Sequence, residues 1–308
     1  MTAPAPLLIL DSATLYYRAF YALPEKMTAP DGHPHNAIRG FLSMLTTLTR
    51  LHRPSGIVAA WDTDWRPQWR VDLVPTYKTH RVEPESDQSA VEEIPDTLGP
   101  QIGALAEIID ALGIARIGFE NFEADDVIAS VADQSPGRHL VVTSDKDLMQ
   151  VISERTSILL QSQGGLEKWP IIGEAEVLAR FGVTVDQYLD YAVLKGDPSD
   201  GLPGIAGIGD KTAAALISGY GSLDQLIKAA SASVVQKPLT PTLAARIVNG
   251  TEYLVAAREV ITAEQRLPIS EWSFAAPGPG RNDKQLGELA AEWGVERFVA
   301  ELDQALAG

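Results

Sequence analysis

The chain has 308 residues, 45% of them hydrophobic, enough apolar material for one large domain or two modest ones. Its 41 acidic and 25 basic residues give a formal charge of −16, which argues against a uniformly basic surface but not against a local cationic path. Cysteine is absent, which removes disulfide scaffolds, thiolate metal sites and cysteine nucleophiles.

Residues 7–10 (LLIL) read as a short buried strand that runs into Asp11. Ile38, Phe41, Leu42, Leu45 and Leu48 recur at helical spacing over 36–53. Residues 56–61 read as a second strand, followed at once by Asp62. A helix over 102–112, a strand over 115–119 and a helix over 124–133 follow. His139–Thr143 is a fourth strand, ending just before Asp145, and 156–161 is read as a fifth. Strands alternating with helices predict a mostly parallel sheet covered by helices. Between Asp62 and Ile102 the pattern breaks into a long irregular excursion carrying Arg66, Arg70, Lys78 and Arg81. From about residue 174 the chain reads as almost wholly helical, with a Gly/Pro break at 276–281 and a last helical stretch over 283–306. No apolar run approaches the ~18–20 residues of a membrane span, and the N-terminus lacks a signal-sequence pattern. The expectation is a soluble, cytoplasmic, monomeric protein.

The carboxylates carry the chemistry. In open parallel sheets, ligands bind beyond the carboxyl ends of the strands, where Asp11, Asp62 and Asp145 would lie together. Asp145 and Asp147 form a D-x-D pair. Glu123, Asp125 and Asp126 open a helix, and Asp197 and Asp200 sit in the turn G-D-P-S-D-G. Each has an ordinary reading as a helix cap, a dipole partner or turn chemistry. Nine carboxylates converging on one cleft would repel strongly without cations. An all-oxygen set with no His or Cys favours Mg²⁺ or Mn²⁺ over zinc.

Gly204-Ile205-Ala206-Gly207-Ile208-Gly209-Asp210-Lys211-Thr212 fits neither a Walker A loop nor a dinucleotide fingerprint. It reads as a tight turn between helices whose N–H groups can face a DNA phosphate, with an ordinary helix–helix turn as the alternative.

Taken in order, Leu10-Asp11, Tyr17-Arg18-Ala19-Phe20, Trp61-Asp62, Tyr77-Lys78, Glu123-Ala124-Asp125-Asp126, Asp145-Lys146-Asp147, Gly196-Asp197-x-Ser199-Asp200 and the glycine segment resemble the 5′ nuclease (flap endonuclease) family, which includes the 5′→3′ exonuclease domain of bacterial DNA polymerase I. The resemblance covers roughly residues 7–265. It implies a PIN-like α/β nuclease core over 1–173 with a helical arch at about 66–100. It implies a helical region over 174–308 with a helix-3-turn-helix unit at about 185–220. No polymerase sequence follows, so a stand-alone enzyme is expected. The implied activity is two-metal hydrolysis of DNA at 5′ ends, flaps and nicks, with RNase H action on RNA–DNA hybrids in some members.

By the same resemblance, Asp11, Asp62, Glu123, Asp125 and Asp145 group around one ion. Asp145, Asp147, Asp197 and Asp200 group around a second, and Asp126 lies in the outer surroundings of the metals. Lys78 and Arg81 match positions that grip the scissile phosphate. Arg18, Arg66, Arg70, Tyr77, Gly204, Gly207, Gly209, Lys211 and Thr212 are the expected DNA contacts, and the hairpin is a candidate K⁺ site. Ser12, Phe122, Ser144 and Gly201 depart from the family's usual residues without removing a ligand. A non-catalytic junction-binding protein and an RNA-cleaving PIN-type nuclease are the rival readings. All nine ligand positions are filled, against the first. The duplex-binding hairpin argues against the second.

Overall fold

The computed structural model describes residues 4–82 and 92–307. Six strands form one sheet: β1 (Leu7–Asp11), β2 (Gly56–Ala60), β3 (Ala115–Ile117), β4 (His139–Thr143), β5 (Thr156–Leu160) and β6 (Ile171–Ile172). Their order is β3-β2-β1-β4-β5-β6, and all neighbours are parallel except β5 and β6. Every residue of β1, β2 and β4 is buried, as expected where helices cover both faces of a parallel sheet. The five strands expected from hydrophobic runs are present. β6 has two residues, too short to show a period.

The strand order places the topological switch between β1 and β4. The chain leaves β1 toward β2 and β3, then returns to the other side as β4. The crevice at such a reversal is where open α/β sheets bind ligands. Here it receives the end of β1 and the turn after β4.

Alternation along the strands feeds two cores. Leu8, Leu10, Ile57, Ala59 and Val142 pack with α1 (Ser12–Ala22), α2 (Asn36–His52) and α4 (Gly99–Ala111). Ile9, Val58, Ala60 and Val141 pack with α5 (Ala124–Gln134) and with the helical region. That region comprises α6 (Glu174–Phe181), α7 (Val185–Lys195), α8 (Asp210–Tyr220), α9 (Leu223–Ala230), α10 (Pro241–Asn249) and α11 (Thr251–Ile261). Tyr188 and Tyr191 of α7 are fully buried against Phe181, so the helical region shares its core with one sheet face.

The end of the chain departs from the boundary at 173/174. Phe274 O accepts from Ile57 N at 2.9 Å, and Asn282 N donates to Ala111 O at 2.9 Å. The strap between these points carries α12 (Asp283–Glu292) and α13 (Glu296–Ala307) back to the α1/α2 face, where Leu286, Val295 and Leu302 join that core. The last helices therefore pack with the α/β unit rather than with the other helices after 174. A run of apolar residues shows that a helix buries a face but not which face receives it.

Among the described residues, the irregular excursion contains α3 (Gln68–Leu73) and a 3₁₀ turn over Thr79–Arg81. Val82 and Glu92 form an isolated antiparallel bridge. The middle of the expected arch, 83–91, lies outside the described residues.

Candidate active site

The acids at the strand ends are held by local chemistry. Asp11 caps α1 through Thr14 N and accepts from Thr143 Oγ1 at 2.6 Å. The same Thr143 oxygen accepts from Asp145 N at 2.8 Å, so one hydroxyl ties the ends of β1 and β4 together. Asp145 in turn accepts from Asp147 N at 2.8 Å. Asp62 accepts from Ala124 N at 2.8 Å, which fixes the start of α5 and Asp125 beside it. The cap reading is thus realised at Asp11, and the same local bonds fix the direction of the acids. Thr143 had no motif to mark it; an alcohol ending an apolar strand one residue before the loop was its only trace.

Electrostatics show these acids sharing a space. Burial pushes Asp11 up to about 7, with further repulsion from Asp62 and Asp145. Burial and the Asp200 charge push Asp145 up to about 6. Asp125 is raised well above the carboxylate range by burial, Asp145 and Asp11. Asp147 is raised likewise by burial, Asp145, Asp200 and Asp197. Asp62 and Asp200 are raised by burial, with Lys78 opposing. Such a set binds protons in place of cations, and hard divalent ions fit it because every donor is a carboxylate oxygen. Among the described residues, no three His, Asp or Glu side chains are already closed around one point as ligands.

Glu123 and Asp126 differ from the rest. Glu123 is 3% exposed; Arg70 Nη1 and Tyr77 OH each reach its Oε1 at 2.9 Å, and Lys78 Nζ donates to its Oε2. Burial alone would raise it, but Lys78 and Arg70 hold it below the usual range. Asp126 accepts from Arg70 Nη2 at 2.8 Å, from Glu264 N at 2.8 Å and from Glu123 N at 2.9 Å. Its oxygens are consumed inside the protein, so it is a structural acid and not a ligand.

Three expected DNA contacts face inward. Arg70, 3% exposed, bridges Glu123 and Asp126. The Tyr77 ring is buried with its hydroxyl on Glu123, and buried Arg66 donates from Nε to Tyr77 O at 2.6 Å. These side chains hold the excursion's base against α5 and leave no surface for a nucleic acid.

Lys78 and Arg81 do face the cleft. It encloses about 570 Å³ and is also walled by Tyr17, Arg18, Trp65, Asp62, Glu92, Asp145, Lys146 and Asp197. Lys78 adopts a left-handed backbone (φ 48°), and its N–H donates to Asp200 O at 3.0 Å. Gly201 (φ 71°) is required beside it, because a β-carbon there would lie 2.0 Å from Thr76 O. Arg81 reaches Asp200 Oδ1 at 2.8 Å and Ser199 O at 2.9 Å. Arg18 is held on Ser162 O and Gly164 O, over the Trp169 ring. Glu92 and Trp65 reach the cleft without a sequence signal beyond lying in the irregular stretch.

The glycine turn joins α7 to α8. Gly204 (φ 64°) is a packing glycine, not a DNA contact: a β-carbon would lie 2.4 Å from Lys195 O, and its N–H is turned inward to Tyr253 OH. Gly207, Gly209 and Lys211 are exposed, Thr212 is half-buried, and Gly209 opens onto free space. Arg246 Nη1 donates to Ala206 O at 2.7 Å, so an arginine already serves one carbonyl of the turn considered for K⁺.

A carboxylate-lined cleft at the switch point, with Arg18, Lys78, Arg81 and Lys146 among its walls and a helical hairpin alongside, defines an α/β nuclease-type centre. Residues 6–182 match the family described as "5'-3' exonuclease, N-terminal resolvase-like domain", and residues 183–277 match "5'-3' exonuclease, C-terminal SAM fold". The chain belongs to the 5'-3' exonuclease family. It is 41% identical to a 5'-3' exonuclease of Streptomyces coelicolor, covering 94% of this chain and 96% of that one. It is 40% identical to a 5'-3' exonuclease of Mycobacterium tuberculosis, covering 98% of each. DNA polymerase I of Mycobacterium bovis is 37% identical over 87% of this chain but only 28% of its own length. In fold, the chain is similar to phage T5 5'-exonuclease with zinc bound (TM-score 0.62, 14% identity, 98% and 99% coverage) and to the catalytic core of Rad2 in complex with DNA substrate (TM-score 0.61, 15% identity, 99% and 92% coverage).

Proposed function

We propose that this chain is a divalent-metal-dependent 5′ nuclease that hydrolyses DNA phosphodiesters at 5′ ends, flaps and nicks. The observation that carries the reading is the mutually repelling acid cluster facing Lys78 and Arg81 across one cleft. Asp11, Asp62, Asp125 and Asp145 would hold one Mg²⁺ or Mn²⁺, with Glu123 joining them when Lys78 turns to substrate. Asp145, Asp147, Asp197 and Asp200 would hold the second. Such ions, when bound, supply charge neutralisation and an activated water to phosphodiester hydrolysis. Lys78 and Arg81 offset the charge that develops on the phosphate. Thr143 fixes Asp11 and Asp145 in register, and Arg70 with Tyr77 fixes Glu123.

The exposed Gly207, Gly209 and Lys211 provide the duplex seat, acting on backbone phosphates rather than bases. RNA–DNA hybrids offer the same phosphates and are a further substrate of this reading. No described helix is long and apolar enough to cross a membrane; we place the enzyme as a monomer in the cytoplasm, on DNA.

The test is an end-labelled 5′-flap DNA incubated with Mg²⁺, Mn²⁺ or EDTA and mapped to the nucleotide. Cleavage near the flap junction that requires the metal is expected. Cleavage that persists in EDTA, or that starts from 3′ ends, would contradict the reading.

A further inference from the structure

Tyr21 is the most exposed aromatic ring of the cleft wall, at 72%, and the chemistry described so far gives it nothing to do. It stands one helical turn beyond Tyr17 on the same face of α1. The two rings are close to parallel, 10° apart with centroids at 6.5 Å. Phe20, itself buried, meets Tyr21 edge-on at 5.3 Å and 83°. Tyr17 is in turn tied by its hydroxyl to the Glu92 carboxylate. Tyr21 is therefore a braced ring, although most of its surface faces water. It lines the same cleft as Asp62, Asp145, Lys78 and Arg81, with Arg18 between the two tyrosines in sequence.

An apolar face of this size usually finds cover in a folded chain, and a planar ring held in the wall of a nucleic-acid site suits a planar occupant. We propose that Tyr21 is a stacking platform for a nucleobase of the unpaired 5′ strand, on the face turned away from Tyr17. The occupant is a base because Arg18 and Arg81, which line the same cleft, are the groups whose charge suits phosphates, while the ring offers no charge. Stacking of this kind tolerates any base, so it would favour single-stranded 5′ ends over fully paired ones without imposing a sequence. The inference rests on the 5′ nuclease reading and deepens it.

The experiment uses the whole chain in Ca²⁺, to hold substrate without turnover, with a hairpin duplex that carries a short 5′ overhang and a blunt version of the same hairpin. 2-Aminopurine is placed at each overhang position in turn. Wild type and Tyr21→Phe should quench the probe at one position and bind alike. Tyr21→Leu and Tyr21→Ala should lose that quenching and bind the overhang about five- to a hundred-fold more weakly, the range of one lost base stack. All four should bind the blunt hairpin equally. An abasic site at the quenched position should weaken wild type by the same factor and leave Tyr21→Ala unaffected, which a merely structural role would not produce. Unchanged overhang affinity in Tyr21→Ala, or an equal loss on both hairpins, would overturn the proposal. A wild type that binds blunt and overhanging hairpins alike would instead contradict the 5′-strand reading beneath it.

Discussion

Arg70 Nη2 lies 2.8 Å from Asp126 Oδ1, and both side chains are sealed from solvent. The other arm of the same guanidinium holds Glu123. One arginine thus joins the base of the excursion to the first turn of α5, which carries Asp125 and Asp126. Removing it would leave two buried acids close together, with Lys78 and the Tyr77 hydroxyl still on Glu123 and, among the described residues, the backbone N–H groups of Glu123 and Glu264 alone on Asp126. Arg70→Ala should destabilise the fold by about 3–5 kcal/mol, the usual cost of breaking a buried ion pair from one side. Urea denaturation with and without the substitution measures it, and an unchanged midpoint would refute the bridging role.

Asp147 behaves in the opposite sense. Burial and three neighbouring acids disfavour its charge, so Asp147→Asn should relieve repulsion. The variant should melt at or above the wild-type temperature in EDTA and yet lose metal-dependent cleavage. A lower melting temperature with cleavage intact would reverse both assignments.

The pH dependence follows from the raised acids. Asp11 at about 7 and Asp145 at about 6 keep protons in the native state that an unfolded chain releases near 3.8. Between those values the native state binds more protons, so metal-free stability should fall as pH rises from about 4 to about 7. Glu123, held low, works the other way and costs stability only in strongly acidic solution. Melting in EDTA at a series of pH values checks the sign. Saturating Mg²⁺ should flatten the fall, and calorimetry in buffers of different ionisation enthalpy should show protons released on binding at pH 6 and fewer at pH 8. Stability that climbs from pH 5 to 7 in EDTA would contradict the cluster's electrostatics.

Lys78 is expected to act on the reacting phosphate more than on binding. Lys78→Ala should lower single-turnover cleavage by about 10²–10³-fold, the scale for a lost charge-stabilising donor, with a much smaller loss of DNA affinity. Arg70 and Tyr77 still hold Glu123 in the variant, so the fold should persist. Equal losses in binding and cleavage would make Lys78 a simple phosphate anchor.

The site was legible where chemistry and local order coincide. Apolar runs ending in Asp11, Asp62 and Asp145 could be read because parallel strands bring such ends to one edge. The exposed turn residues Gly207, Gly209 and Lys211 were legible from glycine spacing next to a helix start. What was not legible depended on which way a side chain turns. Arg66, Arg70 and Tyr77 look like nucleic-acid contacts in a basic, aromatic stretch, yet Glu123 and Asp126, some 50 residues away, draw Arg70 and Tyr77 inward, and Arg66 is bound to Tyr77 O. Asp126 reads like its neighbour Asp125 but, about 100° further round the helix, faces Arg70 and Glu264 N. Gly204 resembles the other turn glycines, but only the approach of Lys195 O explains it. The return of α12 and α13 to the first core is directed by main-chain bonds of the strap, which leave no periodic trace, and completed by Leu286, Val295 and Leu302.

If the acids hold the divalent ions on which 5′ cleavage depends, Asp145 belongs to both proposed groups. The most direct measurement is single-turnover cleavage of a 5′-flap DNA by wild type and Asp145→Asn across a Mg²⁺ titration, with binding followed in parallel. The variant should bind the flap and remain folded while its cleavage falls by at least about 10³-fold at every Mg²⁺ concentration. Near-normal cleavage by Asp145→Asn at saturating Mg²⁺ would contradict it.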